Sequence, residues 1–241
     1  MSARRRPFVA LLAVAPLLAA CSRAPSAQPL TRSDRVVYVA VGASDTVGVG
    51  SRDPRRDAWP EVFARTALPP NAEVHNLGIS GATTAEAIRR ELPRALDLRP
   101  TIATVWLNVN DLTHAVPPET YERQLRQLLT ALRADGRTQV LIATTPRLES
   151  LPAYRACLDA SASCEIGPFV PPPTLVSAAV DAYNDAIRSA AKATGSIVVD
   201  LHALGDVPAN HPEWVSGDGF HPSTEGYRHV ASAFASALRA A

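Results

Sequence analysis

Near one end of this 241-residue chain lies Ser216-Gly217-Asp218-Gly219-Phe220-His221-Pro222-Ser223, with Asp218 and His221 three apart in a glycine-rich stretch. At that spacing a carboxylate can orient an imidazole and stabilise its protonated form, which is what a general base needs. Far upstream, Gly42-Ala43-Ser44-Asp45 follows an apolar run directly. A serine just past such a run, with a glycine two residues before it, can sit on a tight turn that exposes its hydroxyl as a nucleophile. The same four residues also make an ordinary turn or helix cap.

Two further stretches could serve an acyl-transfer reaction. Asn76-Leu77-Gly78-Ile79-Ser80-Gly81 ends another apolar run, and a glycine there can turn an N–H toward a developing oxyanion. A plain strand-to-helix turn capped by Thr83 or Thr84 fits that stretch equally well, and Ser80 is a rival nucleophile. In Trp106-Leu107-Asn108-Val109-Asn110-Asp111, an asparagine amide held after an apolar run can donate to the same oxyanion. Gly48 and Gly50 lack the third glycine of a dinucleotide fingerprint, and no glycine precedes Lys-Ser or Lys-Thr as a phosphate loop requires. His75, His114, His202, His211 and His229 show no metal-ligand spacing, so neither metal nor organic cofactor is expected. Trp214 stands open between a pocket wall and a core or surface aromatic.

These residues need a scaffold, and the hydropathy pattern supplies one. Apolar, β-rich runs at 36–42, 72–77, 101–107, 138–144 and 196–201 are nearly continuous, as in strands covered on both faces. Between them Tyr121, Leu125, Leu128, Leu129 and Leu132 share one helical face, and Val176, Val180, Tyr183, Ile187 and Ala190 share another. Segments 57–68, 84–95 and 224–240 are further helix candidates. The alternation predicts a three-layer α/β/α sandwich around a parallel sheet of about five strands, with active groups at the strands' carboxyl ends. The proline-rich stretch between Thr145 and Thr174 shows no periodicity and reads as an excursion near the site.

The ordered set Ser, Gly, Asn and Asp-x-x-His resembles the SGNH or GDSL hydrolase family of esterases, lipases and thioesterases. The resemblance covers 36 to about 238, and DGFHPSTEGY is its most specific block. It implies a flavodoxin-like sheet, Ser44 as nucleophile, His221 as general base and Asp218 as its orienting partner. It also implies an oxyanion hole from the Ser44 N–H, the Gly78 N–H and the Asn110 amide. A serine-dependent hydrolase of small or lipid-like esters is therefore expected. Alternatives are a carbohydrate O-deacetylase and a binding lipoprotein that has lost catalysis. Two departures bear on the last: Ala43 replaces the family's aspartate, and Asn108 replaces a glycine, where an asparagine could keep a positive φ.

Residues 1–21 carry Arg4, Arg5 and Arg6, an apolar run from Phe8 to Leu18, and Leu18-Ala19-Ala20-Cys21. That run is too short for a membrane-spanning helix and reads as a signal peptide. Its end resembles a lipobox, which implies lipidation of Cys21, a tether over 22–34 and a folded domain over 35–241. Export to the bacterial cell envelope would let Cys157 and Cys164 pair. Cleavage would remove three of the 24 basic residues and none of the 23 acidic ones, reversing the formal charge of +1. No basic stripe marks a nucleic-acid partner, and 46% apolar residues exclude a disordered chain. The expected partners are a small-molecule ester and, through the lipid anchor, the membrane, with the chain a monomer.

Overall fold

The five apolar runs become strands β1 (Val37–Gly42), β2 (Glu73–Asn76), β3 (Ile102–Trp106), β4 (Gln139–Ala143) and β5 (Ile197–Val199). The structure is a computed structural model and describes residues 35–159 and 170–241. The signal segment 1–21 with Cys21, the tether 22–34 and Cys164 lie outside the described residues. The strands pair in parallel in the order β2-β1-β3-β4-β5. This is the flavodoxin-like arrangement, and its order reverses between β1 and β3, where a crevice opens at the carboxyl ends. Ser44 follows β1 and Asn110 follows β3, so the topology alone brings these two turns together.

Successive side chains point to opposite faces of a strand, and here both faces are covered. Val39, Val41, Ala103 and Val105 face α4 (Thr84–Arg90), α5 (Leu92–Leu98), α7 (Pro118–Leu132) and α9 (Pro173–Thr194). Tyr38, Ala40 and Ile102 face α3 (Trp59–Ala67) and the C-terminal α11 (Thr224–Ala240). The expected stripes are buried over all five α7 residues from Tyr121 to Leu132 and over Val180, Tyr183, Ile187 and Ala190 of α9, whereas Val176, at the start of the α9 stripe, is only half-buried. Shorter helices α1 (Ser44–Val47), α2 (Pro54–Asp57), α6 (Val109–Thr113), α8 (Pro152–Leu158) and α10 (Val207–Asn210) line the loops.

Three expected elements differ in detail, two of them because of proline. The helix expected over 57–68 forms as α3 but starts only at Trp59, Asp57 closing the separate turn α2, and that over 84–95 breaks at Glu91 into α4 and α5. Pro60 and Pro93 have no N–H to give and are accommodated in the first turn of a new helix. The described residues of the Thr145–Thr174 excursion are more structured than their sequence suggests. They hold a tight turn at Leu148–Ser150 and then α8, whose Ala153 N–H donates to the Gly219 carbonyl at 3.0 Å. Gly219 has φ +72°, and a Cβ there would lie 2.9 Å from the Ala153 nitrogen, so only glycine lets α8 dock on this loop. Cys157, on α8, is disulfide-bonded.

Trp59 anchors the α3–α11 face. It is fully buried, stacks on Phe234 with ring centroids 4.2 Å apart, and meets Trp106 edge-on at 6.2 Å. Trp59→Ala is expected to lower unfolding stability by about 3–5 kcal/mol in urea titrations. A loss below about 1 kcal/mol would contradict this account of the core.

Candidate active site

The loop before α11 is built to hold one imidazole. Val215 and Pro222 form an antiparallel bridge, the Ser216 N–H donates to the His221 carbonyl at 2.8 Å, and Ser223 caps α11 through Gly226. Inside this loop Asp218 Oδ1 accepts from Ser216 Oγ (2.6 Å), the Phe220 N–H (2.8 Å) and the His221 N–H (2.9 Å). Its Oδ2 accepts from His221 Nδ1 at 2.7 Å. Burial by itself would push the Asp218 carboxyl up, but these donors outweigh it and hold the group down at about 2. An ionised carboxylate only accepts, so Nδ1 carries the imidazole proton and Nε2 is left as an acceptor. Nε2 lies 2.9 Å from Ser44 Oγ. The structure thus brings together the three residues singled out for catalysis, whereas Ser80 sits exposed on a different turn.

The Ser44 turn is held from below by residues whose role the sequence does not announce. Gly42, the last residue of β1, accepts from the Ile79 N–H and donates its own N–H to Glu91 Oε2 at 2.8 Å. Glu91 is 1% exposed, at the break between α4 and α5, and its Oε1 has no hydrogen-bond partner among the described residues. Burial pushes its carboxyl up to about 8, although the Gly42 N–H pulls the other way, so it is largely protonated at neutral pH. Ala43, where the family pattern has an aspartate, is buried in the apolar cluster beside α4.

The oxyanion assignment of Gly78 is corrected. Its N–H donates to Asn76 Oδ1 at 3.1 Å and is therefore already engaged. Gly78 serves close packing instead: a Cβ there would lie 3.0 Å from the Thr46 side chain and 3.1 Å from the Val47 nitrogen. Three residues on, Gly81 is exposed at φ +81°, with open space around it. Asn110 reaches this turn, its Nδ2 donating to the Ala82 carbonyl at 3.0 Å and keeping a second N–H. Asp111 locks the turn to α4 by accepting from the N–H and Oγ1 of Thr84, at 2.9 and 3.0 Å. Asn108, expected at positive φ, is extended at φ −164° and caps α6 through the Val109 N–H, so the missing glycine causes no strain.

Beside His221 and Asp45 a cleft opens with mainly apolar walls, including Trp106, Leu148, Leu201, Trp214 and Phe220. The excursion after β4 supplies Leu148 as part of that wall, and Trp214 is held by stacking between His211 (3.8 Å) and His229 (3.6 Å). Among the described residues no group of three or more His, Cys, Asp or Glu side chains could hold a metal ion.

A flavodoxin-like sheet with a serine, an imidazole and a carboxylate in one hydrogen-bonded line at its switch point defines a class of α/β hydrolase sites. The sequence model of the GDSL-like Lipase/Acylhydrolase family matches residues 40–229, and the chain belongs to that family, whose members hydrolyse esters. Solved structures agree on the fold. A lipase/acylhydrolase from Enterococcus faecalis is 18% identical with a TM-score of 0.65, covering 85% of this chain and 96% of its own. The acetyl xylan esterase AlAXEase is 19% identical, with a TM-score of 0.63 and coverage of 84% and 100%. The psychrotrophic esterase EstA from Pseudoalteromonas sp. is 14% identical, with a TM-score of 0.60 and coverage of 84% and 96%. No curated protein matches the chain.

The raised carboxyl of Glu91 gives a stability test with a defined sign. Its folded-state proton affinity exceeds the unfolded one, so its contribution is complete below the ordinary carboxyl range and is lost as pH rises toward about 8. Melting temperature should fall more between about pH 5 and about pH 9 in the wild type than in Glu91→Gln, which cannot ionise. Parallel curves for the two proteins would refute the buried, protonated state.

Proposed function

We propose that the chain is a serine-dependent ester hydrolase that works through a covalent acyl-enzyme. The observation that carries this reading is the unbroken line Asp218 Oδ2, His221 Nδ1, His221 Nε2, Ser44 Oγ, with contacts of 2.7 and 2.9 Å. In this mechanism His221 Nε2 takes the Ser44 proton as Oγ attacks the ester carbon, and Asp218 stabilises the imidazolium. The carbonyl oxygen, now negative, is met by the Ser44 N–H, the Gly81 N–H and the remaining N–H of Asn110 Nδ2. His221 then protonates the departing alcohol, and a water activated by the same imidazole releases the acid. The mainly apolar cleft beside His221 favours small or lipid-like esters over a polysaccharide, whose hydroxyls would find few partners there.

Ser44→Ala and His221→Ala, checked for folding by circular dichroism, should each lose at least about 10³-fold in kcat on p-nitrophenyl butyrate. Asn110→Ala should cost about 10²–10³-fold, almost all of it in kcat, because its donor acts on charge that develops in the transition state. Near wild-type turnover in Ser44→Ala would overturn the assignment of the nucleophile.

Residues 1–21 support a further proposal, that the enzyme is exported and held at the cell envelope by lipid on Cys21. Labelled palmitate should enter the full-length protein expressed in a bacterial host and be absent from Cys21→Ala. Equal labelling of the two would refute lipid attachment at this residue.

A further inference from the structure

Among the described residues the half-buried carboxylate next to Ser44 accepts no hydrogen bond from another residue. Asp45 follows Ser44 in the first turn after β1 and lines the apolar cleft together with His221. Asp218 receives hydrogen bonds from four groups, whereas among the described residues the Asp45 carboxylate receives none from another residue. Around it the walls are Trp106, Leu148, Leu151, Leu201, Trp214 and Phe220, and the polar groups facing the same space are few, chiefly His221 and His229. An unpartnered acid in apolar surroundings calls for a ligand that brings the missing counter-charge.

The possible occupants can be compared on that ground. A purely apolar chain would cover Asp45 without pairing it. An anionic chain would be repelled by Asp45 and by Asp218 behind His221. A sugar ring would present several hydroxyls to walls that offer almost no acceptors. An apolar body with one positive centre satisfies both the walls and the carboxylate.

We propose that Asp45 is a specificity-determining residue and that the preferred substrates are esters whose apolar part carries a single amine or quaternary ammonium group, paired with Asp45 beside the scissile bond. The inference rests on the reading of Ser44 as the nucleophile of an ester hydrolase and names the substrate class of that site. Burial pushes the Asp45 carboxyl up to about 6, with His221 and its own N–H pulling down and Asp218 pushing up, and Tyr227 of α11 feels the Asp45 charge. Asp45 therefore carries its charge mainly above that pH, and preference for a cation grows from acid to mildly alkaline solution.

The test compares isosteres that differ only in charge. Butyrylcholine is set against 3,3-dimethylbutyl butyrate, and the p-nitrophenyl ester of 4-(trimethylammonio)butyrate against that of 5,5-dimethylhexanoate. In at least one pair the cationic ester should be favoured by about 10- to 100-fold in kcat/KM, mostly through KM, with a larger ratio at pH 8 than at pH 5. Asp45→Asn should bring that ratio toward one. Ratios near one in both pairs for the wild type, or ratios unchanged in Asp45→Asn, overturn the proposal. Calorimetric binding of butyltrimethylammonium to Ser44→Ala and to the Ser44→Ala, Asp45→Asn double variant separates this from the hydrolase reading. Asp45-dependent binding without hydrolysis of any ester would sustain the cation site and refute the hydrolase. Hydrolysis without cation preference or cation binding would do the reverse.

Discussion

The hydrogen bond from Ser44 Oγ to His221 Nε2 joins two residues 177 positions apart, and the architecture can be understood as the means of holding it at 2.9 Å. One such bond contributes about 0.5–1.5 kcal/mol, far too little to order the two loops that make it. Each side is fixed independently. Ser44 follows a central strand paired on both sides, and the end of that strand is tied to Ile79 and to the buried Glu91. His221 is fixed by the Val215–Pro222 bridge, by the Asp218 network and by α8, which docks on Gly219. The heavily packed face of α3 and α11, centred on Trp59 and Phe234, supports the element that follows the His221 loop.

The electrostatics of the site come from contrast between carboxyl groups. Asp218 and Asp45 both lie near His221, yet four donors hold one group down while burial, only partly offset by His221 and its own N–H, pushes the other up. Glu91, deeper still, is pushed up further and works as an uncharged support of the β1 turn. Environment more than residue type thus sets the three carboxyl groups apart: one held ionised beside His221, one titrating in the apolar cleft and one neutral and structural.

Much of this was legible in the sequence, for identifiable reasons. Strands buried on both faces must be continuously apolar, so all five could be read from runs such as VVYVAVG and TIATVWL. The Ser44, Asn110 and Asp218–His221 turns were legible because short-range chemistry and loop position coincide at strand ends. The helix boundaries at Ala58 and Glu91 were signalled by Pro60 and Pro93, each placed in the first turn of the helix that follows. Gly78 and Gly81 occupy one turn, and only the three-dimensional contacts of Gly78, its N–H on Asn76 and its Cα against Thr46, mark it as the packing glycine. Glu91 and Asp111 had no local signature at all, since each acts on a backbone group or side chain 49 and 27 residues away. The excursion after β4 was opaque because α8 is stabilised by docking on Gly219, a tertiary contact, more than by its own periodicity.

The central claim is that Ser44 is an activated nucleophile aligned by His221. Its most direct measurement is intact-protein and peptide mass spectrometry after reaction with a fluorophosphonate, which modifies only activated serines. The account predicts one adduct per chain, located on Ser44, formed quickly in the wild type and very slowly in His221→Ala. An unmodified protein, an adduct on another serine such as Ser80, or a rate indifferent to His221 would contradict it.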